Sequence, residues 1–211
     1  MSQVDVFGSS SCGNNPFSFW RSSSQALLVA RFWNPFRHVI SRSDRGALIT
    51  GVFKWRRLAY VREFASIVFK QILVVCMGNI CRSPAAEYLF QDRMHARGIQ
   101  SCSAGLDALV GTPMDATVLQ LLNESGVDGT SHRAHQLTSS MLLQADLVLG
   151  MEKKHVDAMV QLAPEARGKV YLLDKWLGGR DVPDPYGQSR SVFERVYEMI
   201  MGGVDSWAAY L

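Results

Sequence analysis

Ten residues, 75–84 (VCMGNICRSP), constrain the fold more than any other part of the chain. They follow residues 72–75, an apolar run whose length is typical of a buried strand. They precede a segment with helical periodicity. The pair Ser83-Pro84 predicts where that helix begins, because Ser caps helices and Pro is favoured at the first helical position. This part of the chain therefore predicts a strand, a tight loop and a helix in direct succession.

The predicted loop has the composition of an anion site. Gly78 and Asn79 can both take positive φ, so the backbone can curl into a ring of inward-pointing N–H groups. Such a ring at a helix N-terminus binds a tetrahedral oxyanion, and Arg82 adds a bidentate fork. Cys76 would lie beneath the anion, where the same positive field favours a thiolate. A phosphate held above a thiolate suits covalent phosphoryl transfer to sulfur.

These residues also resemble a known family. Residues 76–84 are similar to the phosphate loop of the low-molecular-weight protein tyrosine phosphatases, with Asn79, Cys81 and Ser83 in register. The resemblance extends over about two thirds of the chain. It implies that the substrate phosphate is bound by Met77, Gly78, Asn79, Ile80, Cys81, Arg82 and Ser83, and that Cys76 is the nucleophile.

The distribution of charge divides the chain. Residues 1–67 carry nine Lys or Arg and three Asp or Glu, a net charge of +6, whereas residues 68–211 carry thirteen and sixteen, a net charge of −3. The basic third contains no recognisable nucleic-acid motif, so nucleic acid is not expected as a partner. With 211 residues, 47% of them hydrophobic, the chain allows one domain with an appendage.

The cysteines indicate a reducing compartment. The four cysteines show no paired Cys-x-x-Cys spacing, which argues against a zinc site, and they are too few for a secreted disulfide scaffold. No apolar run approaches the roughly 18 residues of a transmembrane helix, and the N-terminus lacks a secretory signal. We therefore expect a cytoplasmic protein without metal or cofactor.

The N-terminal third is expected to be an extension. Residues 1–25 are rich in Ser, Gly and Asn, which favours disorder, and residues 26–67 show apolar pieces broken by Arg. The composition resembles a transit peptide, and a helix for anionic lipid or a folded module are alternatives. The favoured hypothesis is an over-extended start: residues 68–211 form the phosphatase domain, and Val68 is the natural initiator, read as Met from a GTG codon.

From residue 70 onward, strands and helices alternate. Strands are predicted at 70–75, 100–104, 146–150 and 169–173. Helices are predicted at 84–97, 114–125, from Thr138, at 152–162 and at 190–209. This order predicts an α/β fold, a four-stranded parallel sheet with helices on both faces and the phosphate loop after strand one. Ligands of such sheets bind beyond the carboxyl ends of the strands.

The Gly-, Pro- and Asp-rich loop 178–187 follows the fourth strand and can therefore reach the same crevice. Asp184 lies between two prolines, which restrict the direction of its carboxyl group. In the family resemblance Asp184-Pro185-Tyr186 is the second signature and the Asp is the general acid. Asp184 could instead only initiate a turn, and Asp181 is the weaker candidate.

Other side chains carry alternatives. Arg82 could be a surface salt-bridge partner, and Ser83 could donate to the Cys76 thiolate, cap the helix, or do both. The resemblance maps the side chains that hold Asn79 onto Ser103 and His132. The remaining histidines in residues 68–211 are expected to be exposed: His95, His135 and His155.

Two further cysteines are interpreted separately. Cys81 is either a small core residue or, by family precedent, the disulfide partner that protects Cys76 from over-oxidation. Cys102 is expected to be buried in a strand.

The resemblance also bears on the substrate. It makes Tyr186 one wall of the cleft, where an aromatic ring can stack on a phenyl ring, and Leu106 the facing wall, where several relatives have an aromatic residue. The strings 103–111 and 151–155 resemble the subgroup that accompanies bacterial exopolysaccharide tyrosine kinases. The implied partner is a phosphotyrosine protein, a membrane tyrosine autokinase.

Three other functions compete with this one. A thiol-dependent arsenate reductase shares the fold and loop but needs further cysteines, and none follows Cys102. A sugar phosphotransferase subunit would need neither Arg82 nor Asp184. A catalytically inactive phosphotyrosine-binding module belongs to a different class, and the presence of nucleophile, arginine and acid together argues against it.

Overall fold

A computed structural model describes residues 69–211, so the hypotheses on residues 1–67 and on Val68 lie outside the described residues. The strands of this part are β1 (Gln71–Cys76), β2 (Gln100–Gly105), β3 (Leu147–Gly150) and β4 (Val170–Leu172). They form one sheet in the order β2-β1-β3-β4, and each neighbouring pair is parallel. The predicted parallel α/β architecture is therefore confirmed.

Five α-helices connect or follow these strands in the described part of the chain. They are α1 (Arg82–Met94), α2 (Ala116–Glu124), α3 (Ser139–Gln144), α4 (Lys153–Leu162) and α5 (Arg190–Ala208). Two 3₁₀ helices, His95–Arg97 and Pro164–Lys169, complete the set, and the second was not predicted. None of the helices in residues 69–211 has the length and hydropathy needed to cross a membrane.

Alternation along β1 divides the core into two layers. Ile72, Val74 and Cys76 point to the face covered by α1, α2 and α5, and Leu73 and Val75 point to the face covered by α3 and α4. All five side chains are buried, as expected for a central strand of a parallel sheet. Cys76 is thus the last residue of a strand that is held on both faces.

The start of α1 differs from the prediction. The helix begins at Arg82, and its N-cap residue Cys81 makes no side-chain capping hydrogen bond, so Ser83 is not the cap. The hydroxyl of Ser83 is bound instead by Cys76 and Asn79. Pro84 is the third helical residue, where its missing N–H costs nothing because the first-turn donors have no intrahelical partner.

The strand order determines where a ligand binds. β1 has β2 on one side and β3 on the other, so the chain connections leave β1 and β3 in opposite directions. In open parallel sheets the crevice outside the carboxyl ends of such a strand pair is the binding site. Cys76 ends β1 at this crevice.

Candidate active site

A cavity of about 210 Å³ lies at the carboxyl end of β1. It is lined by Cys76, Met77, Gly78, Asn79, Ile80, Cys81, Arg82, Asp107, Leu109, Asp184 and Tyr186. Most of the residues predicted to bind or react with substrate therefore share one cavity, although Asp184 and Tyr186 are about a hundred residues from the loop in sequence.

Two hydrogen bonds converge on the sulfur of Cys76, which is 2% exposed. The backbone N of Asn79 donates to Sγ at 3.3 Å, and Ser83 Oγ lies 2.9 Å from it. Asn79 Nδ2 donates to Ser83 Oγ at 2.9 Å, so the hydroxyl proton of Ser83 is left to point at the sulfur. The Asn79 N–H and the Ser83 hydroxyl are thus both directed at the sulfur.

Asn79 shapes the loop around Cys76. Its φ is 56°, and it is the non-glycine residue with positive φ in the described part of the chain; Gly78 does not use the freedom that we predicted for it. Its Nδ2 also donates to Ser103 Oγ at 2.8 Å, and its Oδ1 accepts from the backbone N of His135 at 2.8 Å. His132 Nε2 donates to its carbonyl oxygen at 2.8 Å. Every polar atom of Asn79 thus helps to fix a backbone conformation that L-residues rarely adopt.

A buried carboxyl group lies behind this network. Ser103 Oγ donates to Glu87 Oε2 at 2.6 Å, and Glu87 is only 6% exposed. Burial raises the pKa of Glu87 to about 7, although hydrogen bonds from Ser103 and Gln91 oppose the shift. His132 Nδ1 lies 3.8 Å from the same carboxyl oxygen, and burial lowers the pKa of His132. Protonation of Glu87 is therefore coupled to the phosphate loop through the hydrogen bonds that link Glu87 to Ser103 and Ser103 to Asn79.

The guanidinium of Arg82 is 2% exposed and is held by three protein oxygens. Nη1 donates to Glu152 Oε1 at 2.6 Å and to the carbonyl oxygen of Val182 at 3.0 Å, and Nη2 donates to Asp184 Oδ2. The buried Nε has no hydrogen-bond partner in residues 69–211. A buried, unpaired cationic donor is costly, so Nε is a donor available to an anion in the cavity.

Glu152 is the carboxylate that holds Arg82 from behind. Burial acts to raise its pKa, but hydrogen bonds from Lys154 and Arg82 outweigh burial and hold the pKa below its usual value. His155 Nε2 lies 3.4 Å from the same Glu152 oxygen. His155 is fully buried, so the prediction of an exposed residue was wrong, and burial lowers its pKa. It is buried because α4 turns this side chain toward the sheet, where its Cβ packs near Gly150.

The loop after β4 carries the predicted acid. Asp184 Oδ1 accepts from the backbone N of Tyr186 at 3.2 Å, which orients the carboxyl group. Val182 donates its N–H to the carbonyl oxygen of Met151 at 2.8 Å, which ties this loop to the end of β3. Asp181 instead accepts from the backbone N of Lys153 at 2.8 Å and does not line the cavity. Asp181 therefore has a helix-capping role.

The facing wall of the cavity is formed by the loop after β2, but not by the residue predicted. Leu109 and Asp107 line the cavity, whereas Leu106 packs against the core on the α3 and α4 side of the sheet. The loop is attached to the phosphate loop by backbone hydrogen bonds from Leu106 N to Cys76 O (3.0 Å), Asp107 N to Met77 O (3.0 Å) and Leu109 N to Gly78 O (3.1 Å).

Cys76 and Cys81, the two cysteines of the phosphate loop, are both free thiols. Cys81 is buried and lines the cavity with Cys76. Burial, Asp115 and Cys76 all raise the pKa of Cys81, so it remains a neutral thiol beside the nucleophile. Cys102 is half-buried on β2, not fully buried as expected.

Four residues near the site were missed by the sequence analysis: Glu87, Asp107, Leu109 and Glu152. Asp107 and Leu109 follow β2, and Glu152 follows β3, so the rule that ligands bind at carboxyl ends of strands could have found them. Glu87 is four residues after Ser83 on the buried side of α1. This i, i+4 spacing from Ser83 is the only local feature of the sequence that could have pointed to Glu87.

Fold and site together define a phosphate-ester hydrolase. A parallel α/β sheet delivers a cysteine into an oxyanion-binding loop at the start of a helix, and an arginine and an aspartate reach the same cavity. In residues 69–211 no group of three or more His, Cys, Asp or Glu side chains is placed to hold a metal ion. The family model "Low molecular weight phosphotyrosine protein phosphatase" matches residues 71–211, and the chain belongs to this family. It is a protein-tyrosine phosphatase.

Relatives support this assignment. The chain is 42% identical over 147 residues to the low molecular weight protein-tyrosine-phosphatase Etp of Escherichia coli K12, covering 70% of this chain and 98% of Etp. It is 43% identical over 140 residues to the probable phosphatase AmsI of Erwinia amylovora, covering 66% and 96%. The structure of Vibrio vulnificus Wzb in complex with benzylphosphonate matches with a TM-score of 0.65 and 44% identity, over 68% of this chain and 99% of that one.

Proposed function

We propose that the protein hydrolyses phosphotyrosine in proteins through a phosphocysteine intermediate. Cys76 would be the nucleophile, Arg82 the phosphate clamp and Asp184 the general acid and base. The observation that carries the proposal is the position of the Cys76 sulfur, which receives hydrogen bonds from Asn79 and Ser83 in the cavity that Arg82 and Asp184 also line. Nucleophile, clamp and acid are thus within reach of one bound phosphate.

Phosphate binding follows from the donors of the loop. Backbone N–H groups at the start of α1 and the positive end of the helix dipole favour the phosphate oxygens. Arg82 Nε, which is buried without a partner in the described residues, adds a charge-assisted donor. These interactions hold phosphorus above the Cys76 sulfur and stabilise charge that develops in the transition state.

The first chemical step transfers the phosphoryl group to sulfur. A lone pair of the Cys76 thiolate forms the S–P bond while the bond between phosphorus and the tyrosyl oxygen breaks. The electron pair of that bond stays on the oxygen, which takes the proton of the Asp184 carboxyl group. The products are tyrosine and phosphocysteine.

The second step regenerates the enzyme. The Asp184 carboxylate accepts a proton from a water molecule whose oxygen attacks phosphorus. The S–P bond breaks, its electron pair returns to Cys76, and phosphate leaves. The hydroxyl of Ser83, 2.9 Å from the sulfur, stabilises the departing thiolate.

The walls of the cavity favour an aromatic ester. Tyr186 and Leu109 are 62% and 48% exposed and flank the loop, so a phenyl ring can lie between them. The Vibrio vulnificus relative binds benzylphosphonate, which joins an aromatic ring to a tetrahedral phosphorus group. We extend the proposal to the partner: a phosphotyrosine protein of the cytoplasm, a membrane tyrosine autokinase that controls exopolysaccharide synthesis or export.

Hydrolysis of p-nitrophenyl phosphate without added metal tests the mechanism. We expect Cys76→Ser to abolish activity and Asp184→Asn to reduce kcat by about 10²–10⁴. Acid quenching of the wild-type reaction should trap phosphate on Cys76, detected by mass spectrometry. Activity that persists in Cys76→Ser would exclude the covalent route, and an inactive wild type with reduced thiols would favour the phosphotyrosine-binding module.

A further inference from the structure

Asp107 is fixed at the mouth of the cavity by backbone geometry. Its N–H donates to the carbonyl oxygen of Met77 at 3.0 Å. Two residues earlier, a Cβ on Gly105 would lie 2.5 Å from the same Met77 oxygen, so the two loops touch backbone to backbone. The backbone at Asp107 is therefore fixed relative to the phosphate loop, and its side chain projects from this fixed point at the edge of the cavity.

The charged residues of the cavity lie at different depths. Arg82 is 2% exposed and bound by Glu152, Val182 and Asp184, so its charge acts on the phosphate at the base. Asp184 is engaged by Arg82. Asp107 is exposed, and in residues 69–211 its side chain makes no hydrogen bond or ion pair. Asp107 is thus the carboxylate at the mouth that is available to a partner.

Apart from Asp184, whose exposed carboxylate is paired with Arg82, the rest of the rim carries no ionic group. Met77, Leu109 and Tyr186 are exposed lining residues, and none of them carries a charge. A protein segment that inserts its phosphotyrosine must place the neighbouring residues against this rim. A cationic substrate residue at the rim is attracted by the Asp107 carboxylate. An acidic substrate residue there is repelled by Asp107 and Asp184.

We propose that Asp107 is a specificity-determining residue that favours substrates with Lys or Arg beside the phosphotyrosine over those with Asp or Glu. The inference rests on the phosphatase function proposed above and adds to it the charge of the substrate segment. Because the pair is exposed, the attraction is modest and is weakened by salt.

Three phosphotyrosine peptides that differ only in the two residues next to the phosphotyrosine, both Arg, both Ala or both Glu, test this. The measured quantity is the ratio of kcat/KM for the Arg peptide to kcat/KM for the Glu peptide. We expect a wild-type ratio of about three to ten, which falls as ionic strength rises from about 0.05 M to about 0.5 M. Asp107→Asn should reduce the ratio, and Asp107→Lys should bring it below one.

Glu165→Gln is the matched control, because it also removes one exposed carboxylate. Glu165 lies before β4, at the opposite end of the parallel sheet from Cys76, and should keep the wild-type ratio. Equal hydrolysis of all three peptides, or a wild-type ratio in Asp107→Asn, would overturn the role of Asp107 and leave the phosphatase function standing. A wild type that hydrolyses neither the peptides nor free phosphotyrosine would overturn the proposed function itself.

Discussion

Arg82 and Asp184 are joined by an ion pair across the cavity, from Nη2 to Oδ2. The proposed phosphate clamp and the proposed general acid are therefore bound to each other. A phosphate in the loop competes with Asp184 for Nη2. Substrate binding would therefore release the carboxyl group of Asp184 toward the leaving oxygen.

Asp184→Asn should separate the role of Asp184 as the acid from its competition with phosphate for Arg82. We expect kcat to fall by about 10²–10⁴ because the acid is lost. We also expect inorganic phosphate to inhibit at lower concentration, because the amide neither repels the anion nor competes strongly for Arg82. Steady-state kinetics with phosphate as inhibitor measures both. Asp181→Asn is the neighbouring control and should retain most activity; weaker phosphate inhibition in Asp184→Asn would contradict the competition.

Glu152→Gln tests the support of Arg82. Glu152 Oε1 accepts from Nη1 at 2.6 Å, and a hydrogen bond between charged groups contributes about 1.5–3 kcal/mol. We expect kcat/KM to fall by about 10-fold or more, with a rise in KM, because the guanidinium is less well oriented. Restoration of part of the loss by Glu152→Asp would indicate that the carboxylate itself is needed. Kinetics identical to those of the wild type would show that Val182 and Asp184 are sufficient to hold Arg82.

Two substitutions of Asn79 separate backbone strain from hydrogen bonding. Asn79→Ala removes the side-chain hydrogen bonds and leaves a Cβ at φ 56°, whereas Asn79→Gly removes the bonds but relieves the strain. We expect Ala to be less stable than Gly by about 1 kcal/mol and both to be less stable than wild type by about 2 kcal/mol or more. Urea unfolding measures the free energy of unfolding of each variant. Equal stability of Asn79→Ala and Asn79→Gly would argue that the positive φ at position 79 imposes no strain on a residue with a Cβ.

Glu87→Gln should change how stability depends on pH. The pKa of Glu87 is raised from 4.5 to about 7, so the folded protein holds this proton more tightly than the unfolded chain. The corresponding stability is complete below pH 4.5 and is lost as pH rises through 7. Relative to Glu87→Gln, wild type should lose up to about 3 kcal/mol of unfolding free energy between pH 4 and pH 8. If the unfolding free energies of the two proteins changed with pH in parallel, the raised pKa of Glu87 would be refuted.

Local patterns of the sequence were sufficient for the fold. The apolar run before Cys76 and the helical periodicity after Pro84 are local patterns, and the structure buries the apolar face of that helix, formed by Ala86, Leu89, Phe90 and Met94. The site was harder, because Arg82 takes its partners 70 and 100 residues away, at Glu152 and Val182. Such contacts depend on the order of the strands in the sheet.

The errors have identifiable physical causes. Ser83 has the residue type of a helix cap, but its hydroxyl is used by the sulfur of Cys76 and the amide of Asn79. His155 follows two lysines and is expected from the sequence to be exposed, whereas the first turn of α4 directs it inward. Leu109 rather than Leu106 lines the cavity, because an irregular loop has no period from which the direction of a side chain can be inferred.

The loop after β2 is attached to the phosphate loop by backbone hydrogen bonds, and at Gly105 contact with the Met77 carbonyl oxygen excludes a side chain. The side chains at positions 107 and 109 can therefore be exchanged without breaking a hydrogen bond to the phosphate loop. On the proposals above, the phosphate loop carries the chemistry, and positions 107 and 109 of the neighbouring loop carry the choice of substrate. The same catalytic unit could be redirected to new phosphoproteins by changing two or three residues on a loop that it already holds in place.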